Sequence, residues 1–153
     1  MKNINEKDEN NLHVSFLFST TIRQHNIWMN QVLKPYNLSA SEFPLLMKLH
    51  FDGNITQHEL AGEFYLTEGT IARSVRKLED KGFIQREVDD NNRRKKYVSL
   101  TPRGHEVAIF MQDLEEKWEA EVIRELDTTE KENLKKILKK IALKSFKIKD
   151  IIK

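Results

Sequence analysis

Between positions 67 and 81 the chain reads TEGTIARSVRKLEDK, and at 3.6 residues per turn these side chains separate into two sets. Ile71, Val75 and Leu78 share a narrow arc that must face a core. The opposite arc carries Gly69, Thr70, Arg73, Arg76 and Lys77, with Thr67 at the start of the helix, and no carboxylate joins that arc before Asp80. An arginine can fork two hydrogen bonds onto the major-groove edge of guanine, a threonine offers a hydroxyl and a methyl, and a glycine lets backbone approach closely. That face suits a nucleic acid, with Arg73 at mid-arc fitted for base readout and Arg76 and Lys77, nearer its edges, for phosphates. Further on, DDNNRRKKYVSL (89–100) sets Arg93, Arg94, Lys95 and Lys96 side by side. Adjacent cations repel one another unless a polyanion spans them, when neutralised phosphates release condensed counterions. A solvated helix face and a solvated charge run would account for the two features separately, but not for their adjacency.

The elements that must position these residues are legible from their start and stop signals. Ser or Thr followed three residues later by Glu satisfies two orphan backbone donors at once. Ser39 with Glu42 is expected to open a helix that stops at Asp52-Gly53, Thr56 with Glu59 a short helix over 56–64, and Thr129 with Glu132 the basic C-terminal helix. Thr101-Pro102 marks another start, since proline's missing N–H costs nothing at the first helical position. The 67–81 helix is expected to end at Gly82 in a left-handed cap. FIQREV and KYVSL, rich in β-branched and aromatic residues, flank an Asp/Asn turn and predict a hairpin. A long first helix ends near Pro35, with apolar residues at Leu12, Phe16, Ile27, Trp28, Val32 and Leu33. Val107, Phe110, Met111, Leu114, Trp118 and Val122 recur at helical spacing, as do Leu134, Ile137, Leu138, Ile141 and Ile148. The order is four helices, a hairpin and two helices, in which a short helix, a tight turn, a second helix and a hairpin make a winged helix-turn-helix pattern.

Composition bounds the alternatives. A chain of 153 residues fits one domain, and 26 basic against 24 acidic side chains nearly cancel, so any electrostatic footprint is local. No cysteine occurs, which excludes disulfides, thiolate metal sites and cysteine nucleophiles. Five scattered histidines form no i,i+4 pair, DDNN lacks the glycine and distal glutamate of a calcium loop, and no phosphate-binding glycine loop or nucleophile elbow is present. Neither an enzyme, a metal site nor a cofactor is expected. No stretch approaches the ~18 apolar residues of a membrane span, and the polar, acidic N-terminal segment is unlike a secretory leader, so a cytoplasmic protein is expected.

LTEGTIARSVRKLEDKGFIQREVDDNNRRKKYVSLTPRG, positions 66–104, resembles the signature region of the MarR family of winged-helix transcriptional regulators. The shared motifs are a recognition helix, a Leu-Glu-x-x-Gly exit, an arginine before the wing, an arginine-rich wing tip and Leu-Thr-x-x-Gly. The resemblance extends over about residues 12 to 148. It implies a mainly α (α+β) fold in which a winged helix-turn-helix lobe of about 38–101, with a two-stranded wing, is flanked by dimerisation helices of about 10–35 and 102–150 within a single domain, 1–153. Arg73 matches the recognition-helix arginine, Leu78, Glu79 and Gly82 the helix exit, Arg86 the pre-wing arginine, and Arg93 and Arg94 the wing arginines. The family usually inserts the second of these into the minor groove. Asn92 stands where the family commonly has Asp, so here the neighbouring arginines lose an ionic anchor.

The resemblance further implies a homodimer on a pseudo-palindromic operator, repression as the outcome, and an aromatic or anionic small-molecule effector bound between the dimer helices and the DNA-binding lobe. In that position Arg23 and His25 are candidate anion contacts and Phe16, Phe43 and Met47 candidate apolar walls, while the polar stretch STTIRQHN also reads as the solvent-facing middle of its helix. The rival reading is a winged-helix module that binds protein instead of DNA; it requires an apolar exposed face on the 67–81 helix.

Overall fold

The computed structural model describes residues 12–88 and 95–148. Its helices are α1 (Val14–Leu33), α2 (Phe43–Asp52), α3 (Gln57–Glu63), α4 (Glu68–Asp80), α5 (Pro102–Val122) and α6 (Thr128–Ile148), and its strands are β1 (Ile55–Thr56), β2 (Ile84–Val88) and β3 (Lys96–Leu100). The fold is mainly helical with one small antiparallel sheet, as the start and stop signals predict. A 3-10 turn, Lys34–Tyr36, follows α1 and closes at Asn37 in a left-handed conformation, φ 55°. None of the helices among the described residues is long and apolar enough to cross a membrane.

Three boundaries differ from expectation. The Ser39–Glu42 pair exists, but Glu42 N donates to Ser39 O in an isolated turn and α2 begins only at Phe43. Pro44 has no N–H to offer the carbonyl of Ala40, so the i→i−4 ladder cannot start earlier. The cap of α6 is Asp127 and not Thr129: Glu130 N donates to Asp127 Oδ1 and Asp127 N to Glu130 Oε2, each at 2.8 Å. The sheet has three strands in the order β1-β3-β2, with Ile55 opposite Val98 and Thr56 opposite Tyr97, so the wing is not a lone hairpin. A two-residue strand is too short to show any periodicity in sequence.

The chain forms two compact units, one ending at Met111 and the other beginning at Gln112. The first has a continuous core in which Met29, Leu33, Leu46, Leu49, Leu60, Val75, Leu78, Phe83, Val98 and Met111 are fully covered. Thr101 ties its last helix to the end of α4. The hydroxyl donates to Gly82 O at 2.7 Å and accepts from Gly104 N at 3.0 Å, and the Thr101 amide donates to Phe83 O at 3.0 Å. The second unit holds the C-terminal part of α5 and α6, joined by a tight turn and bridged by Lys135 and Glu119 at 2.7 Å. None of its described residues is buried: Val122, Ile137, Leu138, Leu143 and Phe146 are all exposed.

Candidate nucleic-acid interface

Helix α3 starts where the sequence places it, because Thr56 is both a strand residue and a helix cap. Its amide donates to Glu59 Oε2 at 2.9 Å and its side chain accepts from Glu59 N at 3.2 Å, completing the capping box. Hydrogen bonds from the Thr56 hydroxyl and amide hold the Glu59 carboxyl below the ordinary range, with the charge of Lys95 acting in the same direction. Because Thr56 also pairs with Tyr97, the start of the helix-turn-helix is fixed to the return arm of the wing, beside Lys95 and Lys96. A cleft of about 490 Å³ lies there, lined by Gln57, His58, Glu68, Lys95 and Lys96 among others. His58 Nδ1 stands 2.8 Å from Glu68 Oε1 across it.

The turn into α4 closes through Leu66 N to Ala61 O at 2.9 Å, with Tyr65 at φ 53°. A non-glycine residue in that region is uncommon, and nothing in the sequence marks it. Thr67 then caps α4, accepting from Thr70 N at 3.2 Å. Within α4 the division of faces is as the periodicity predicts: Ile71, Val75 and Leu78 are 2%, 0% and 0% exposed, while Gly69, Arg73, Arg76 and Lys77 face solvent. Thr70 is half-buried; its Oγ1 lies 2.9 Å from Thr67 Oγ1 and accepts from Arg73 Nη2 at 3.2 Å. A short polar chain, Thr67 to Thr70 to Arg73, therefore orients the central guanidinium. No large apolar side chain between 68 and 80 is exposed, which removes the feature the protein-binding rival needs.

The exit of α4 is equally defined. Gly82 takes φ 77°, Phe83 N reaches back to Leu78 O at 3.0 Å, and Arg103 Cζ sits 4.6 Å from the centre of the Phe83 ring. Arg86, on β2, forms a hydrogen-bonded ion pair with Glu79, so the pre-wing arginine fastens the wing to the end of α4. Lys95 and Lys96 are exposed; Arg93 and Arg94, with Asn92, lie outside the described residues.

Two acidic residues read from sequence only as helix signals have further partners here. Glu79 holds Arg86, and Glu42 is buried against Lys81 Nζ at 2.6 Å and Lys77 Nζ at 3.3 Å. Burial pushes the Glu42 carboxyl up, but hydrogen bonds from Lys81 and Ser39 and the charges of both lysines outweigh it and leave it below the ordinary range. The five residues proposed for an effector divide between two helices. Phe16, Arg23 and His25 are half-buried on α1, where the His25 ring packs against Trp28 at 6.2 Å; Met47 belongs to the core and Phe43 packs against that core. Among the described residues no group of three or more His, Asp or Glu could hold a metal ion.

Comparison with known proteins agrees with this geometry. The model of the MarR family matches residues 38–96, which span the lobe from the end of the 3-10 turn to the wing. The HTH-type transcriptional regulator SarZ of Staphylococcus epidermidis is 26% identical over 86% of this chain and 87% of its own length. A complex of Staphylococcus aureus MepR with DNA is 25% identical, covers 88% of this chain and 99% of its own, and superposes with a TM-score of 0.78. A crystal structure of MarR superposes with a TM-score of 0.81 over 93% of this chain and 97% of its own. Since that last match is 31% identical over nearly the whole of both chains, the likeness is one of family and not of fold alone, and this chain belongs to the MarR family of transcriptional regulators.

Proposed function

We propose that the protein is a cytoplasmic repressor that binds a pseudo-palindromic DNA operator as a homodimer, with α4 in the major groove and the wing beside the backbone and minor groove. The observation that carries this reading is the face of α4: three apolar side chains turned inward and Arg73 and Arg76 turned outward on a helix held at both ends. The DNA-bound state of MepR, a relative of matching fold, supports it. In this reading Thr67, Gly69, Thr70 and Arg73 serve base readout, and Arg76, Lys77, Arg86 and Arg93 to Lys96 serve contacts to the DNA backbone and minor groove. A small aromatic or anionic effector that releases the DNA is the remaining part of the proposal, with Phe16, Arg23, His25, Phe43 and Met47 as its candidate contacts. Family members are regulators, not enzymes, so the test is binding.

Selection of genomic fragments, with and without a panel of aromatic acids, identifies the operator and any effector together. On that operator Arg94→Ala is expected to weaken binding, to flatten the log–log salt dependence by roughly one unit, and to remove a preference for A·T pairs beside the major-groove half-sites. The motivation is sequence alone: a guanidinium at a hairpin tip suits the strong negative potential of a narrow minor groove. Unchanged affinity and slope in Arg94→Ala would make the cationic run a solvated hairpin.

The homodimer is supported by apolar side chains exposed along one face of α6, where Ile137 and Leu138, beside half-buried Leu134 and Ile141, are 54% and 40% exposed. Patches of that kind on a soluble chain mark association surfaces. Light scattering is expected to give the mass of a dimer at micromolar concentration, and Ile137→Glu combined with Leu138→Glu to give a monomer that no longer binds operator. A wild-type monomer at that concentration would refute this part of the proposal.

A further inference from the structure

Among the described residues Glu42 is the only charged side chain that is buried, at 6% exposed. A buried carboxylate is costly unless paired, and holding the Ser39 turn does not require a charge. Glu42 Oε2 accepts from Ser39 N and Ser39 Oγ, both at 2.8 Å, and a glutamine amide oxygen could accept the same two bonds. What the charge adds lies on the other oxygen. Oε1 meets Lys81 Nζ at 2.6 Å and Lys77 Nζ at 3.3 Å, so one carboxylate just before α2 is shared by two cations at the C-terminal end of α4. Lys81 is largely covered, its side chain 15% exposed, whereas that of Lys77 is 57% exposed and sits at the edge of the arc that carries Arg73 and Arg76.

We infer that Glu42 is a specificity-determining positioning residue: it holds Lys77 towards the protein and so lowers the sequence-independent phosphate attraction of the recognition helix. The inference rests on α4 entering duplex DNA. Phosphate contacts contribute equally on every sequence, so a lysine withheld from them reduces binding to the many competing non-specific sites while leaving base readout by Arg73 intact. Without Glu42, Lys77 and Lys81 stand as like charges at i,i+4, and the exposed one is free to swing outward.

Salt titrations of DNA binding test this on the full-length protein, using a short mixed-sequence duplex and the tightest genomic fragment. Glu42→Gln is expected to bind the mixed-sequence duplex about threefold to tenfold more tightly than wild type, with a log–log slope steeper by roughly 0.9, the value for one added phosphate contact. The genomic fragment should gain less, so the specificity ratio falls. Lys77→Gln is expected to change the slope by less than about 0.4 in the wild-type background and by about 0.9 in Glu42→Gln. A merely structural role for Glu42 would weaken binding to both duplexes in parallel without steepening the slope. If Glu42→Gln does not fold, the wild-type background decides: a full unit of slope lost in Lys77→Gln overturns the inference, and a small loss beside a full loss in Arg76→Gln supports it. Binding with additive slope changes overturns this inference alone, whereas absence of salt-dependent binding by wild type overturns the DNA-binding reading and this one with it.

Discussion

Gly104→Ala is expected to be the most destabilising single-methyl substitution in the chain, at about 3 kcal/mol. Gly104 is buried in the first turn of α5, and a Cβ there would lie 2.0 Å from Phe83 O, 3.0 Å from Phe83 C and 3.2 Å from Leu100 Cβ. The obstacle is backbone that cannot give way. Phe83 O is held by the Thr101 amide, Phe83 N by Leu78 O, and the Phe83 ring is fully buried beneath Arg103. Relief requires α5 to move off the α4 exit, breaking the bonds that Thr101 makes to Gly82 O and Phe83 O. Thermal unfolding, at one protein concentration for both variants, should show a drop in Tm of the order of 10 °C. Gly62→Ala is the control, since no atom lies within 4 Å of its added Cβ and its φ is not positive. It should leave stability unchanged or raise it by up to about 1 kcal/mol through helix propensity. Equal behaviour of the two variants would show that the contact of Gly104 with Phe83 is not the determinant.

Arg73→Ala is expected to weaken operator binding by about 1 to 3 kcal/mol, roughly fivefold to 150-fold, and to relax preference at one base pair in each half-site. Arg73 is at the centre of the outward arc, and the Thr67–Thr70 hydroxyl pair holds its guanidinium from below. Arg73→Lys should not restore the preference, because an ammonium cannot fork two hydrogen bonds onto one base edge. Thr70→Val, which removes the acceptor and keeps the volume, should give a smaller loss in the same direction. Binding measured on the operator and on variants with each base changed separates these outcomes. A uniform loss on all sequences would make Arg73 a phosphate contact, and an unchanged profile would remove it from the interface.

Where a rule acts within one turn or one strand and no neighbour competes, the sequence was a sufficient guide. The inward arc of α4, the Thr56–Glu59 box, the left-handed Gly82 and the hairpin arms either side of the wing tip all follow from neighbours three or four positions apart, or from alternation along a strand. The same local rule failed at Ser39 and Thr129, where a competing neighbour, Pro44 in one case and Asp127 in the other, moved the helix start. Strand β1 was missed because its two residues pair only with a segment more than 40 positions away. Gly104 could be seen in sequence as the last residue of Leu-Thr-x-x-Gly, but the reason for it, a backbone carbonyl 2.0 Å from any Cβ, could not.

The sequence by itself determined that this chain has a winged helix-turn-helix with a cationic outward face, because amphipathic periodicity and capping depend on short-range geometry that residue order specifies completely. The tertiary structure alone decided which of those cations are compensated. Lys77 and Lys81 share Glu42, and Arg86 is taken by Glu79, through pairings set by how α2, α4 and β2 pack together. Charge is read from composition residue by residue, but the field at a surface depends on which opposite charges the fold brings within a few ångströms, and for Glu42 and Lys81 that means side chains 39 positions apart.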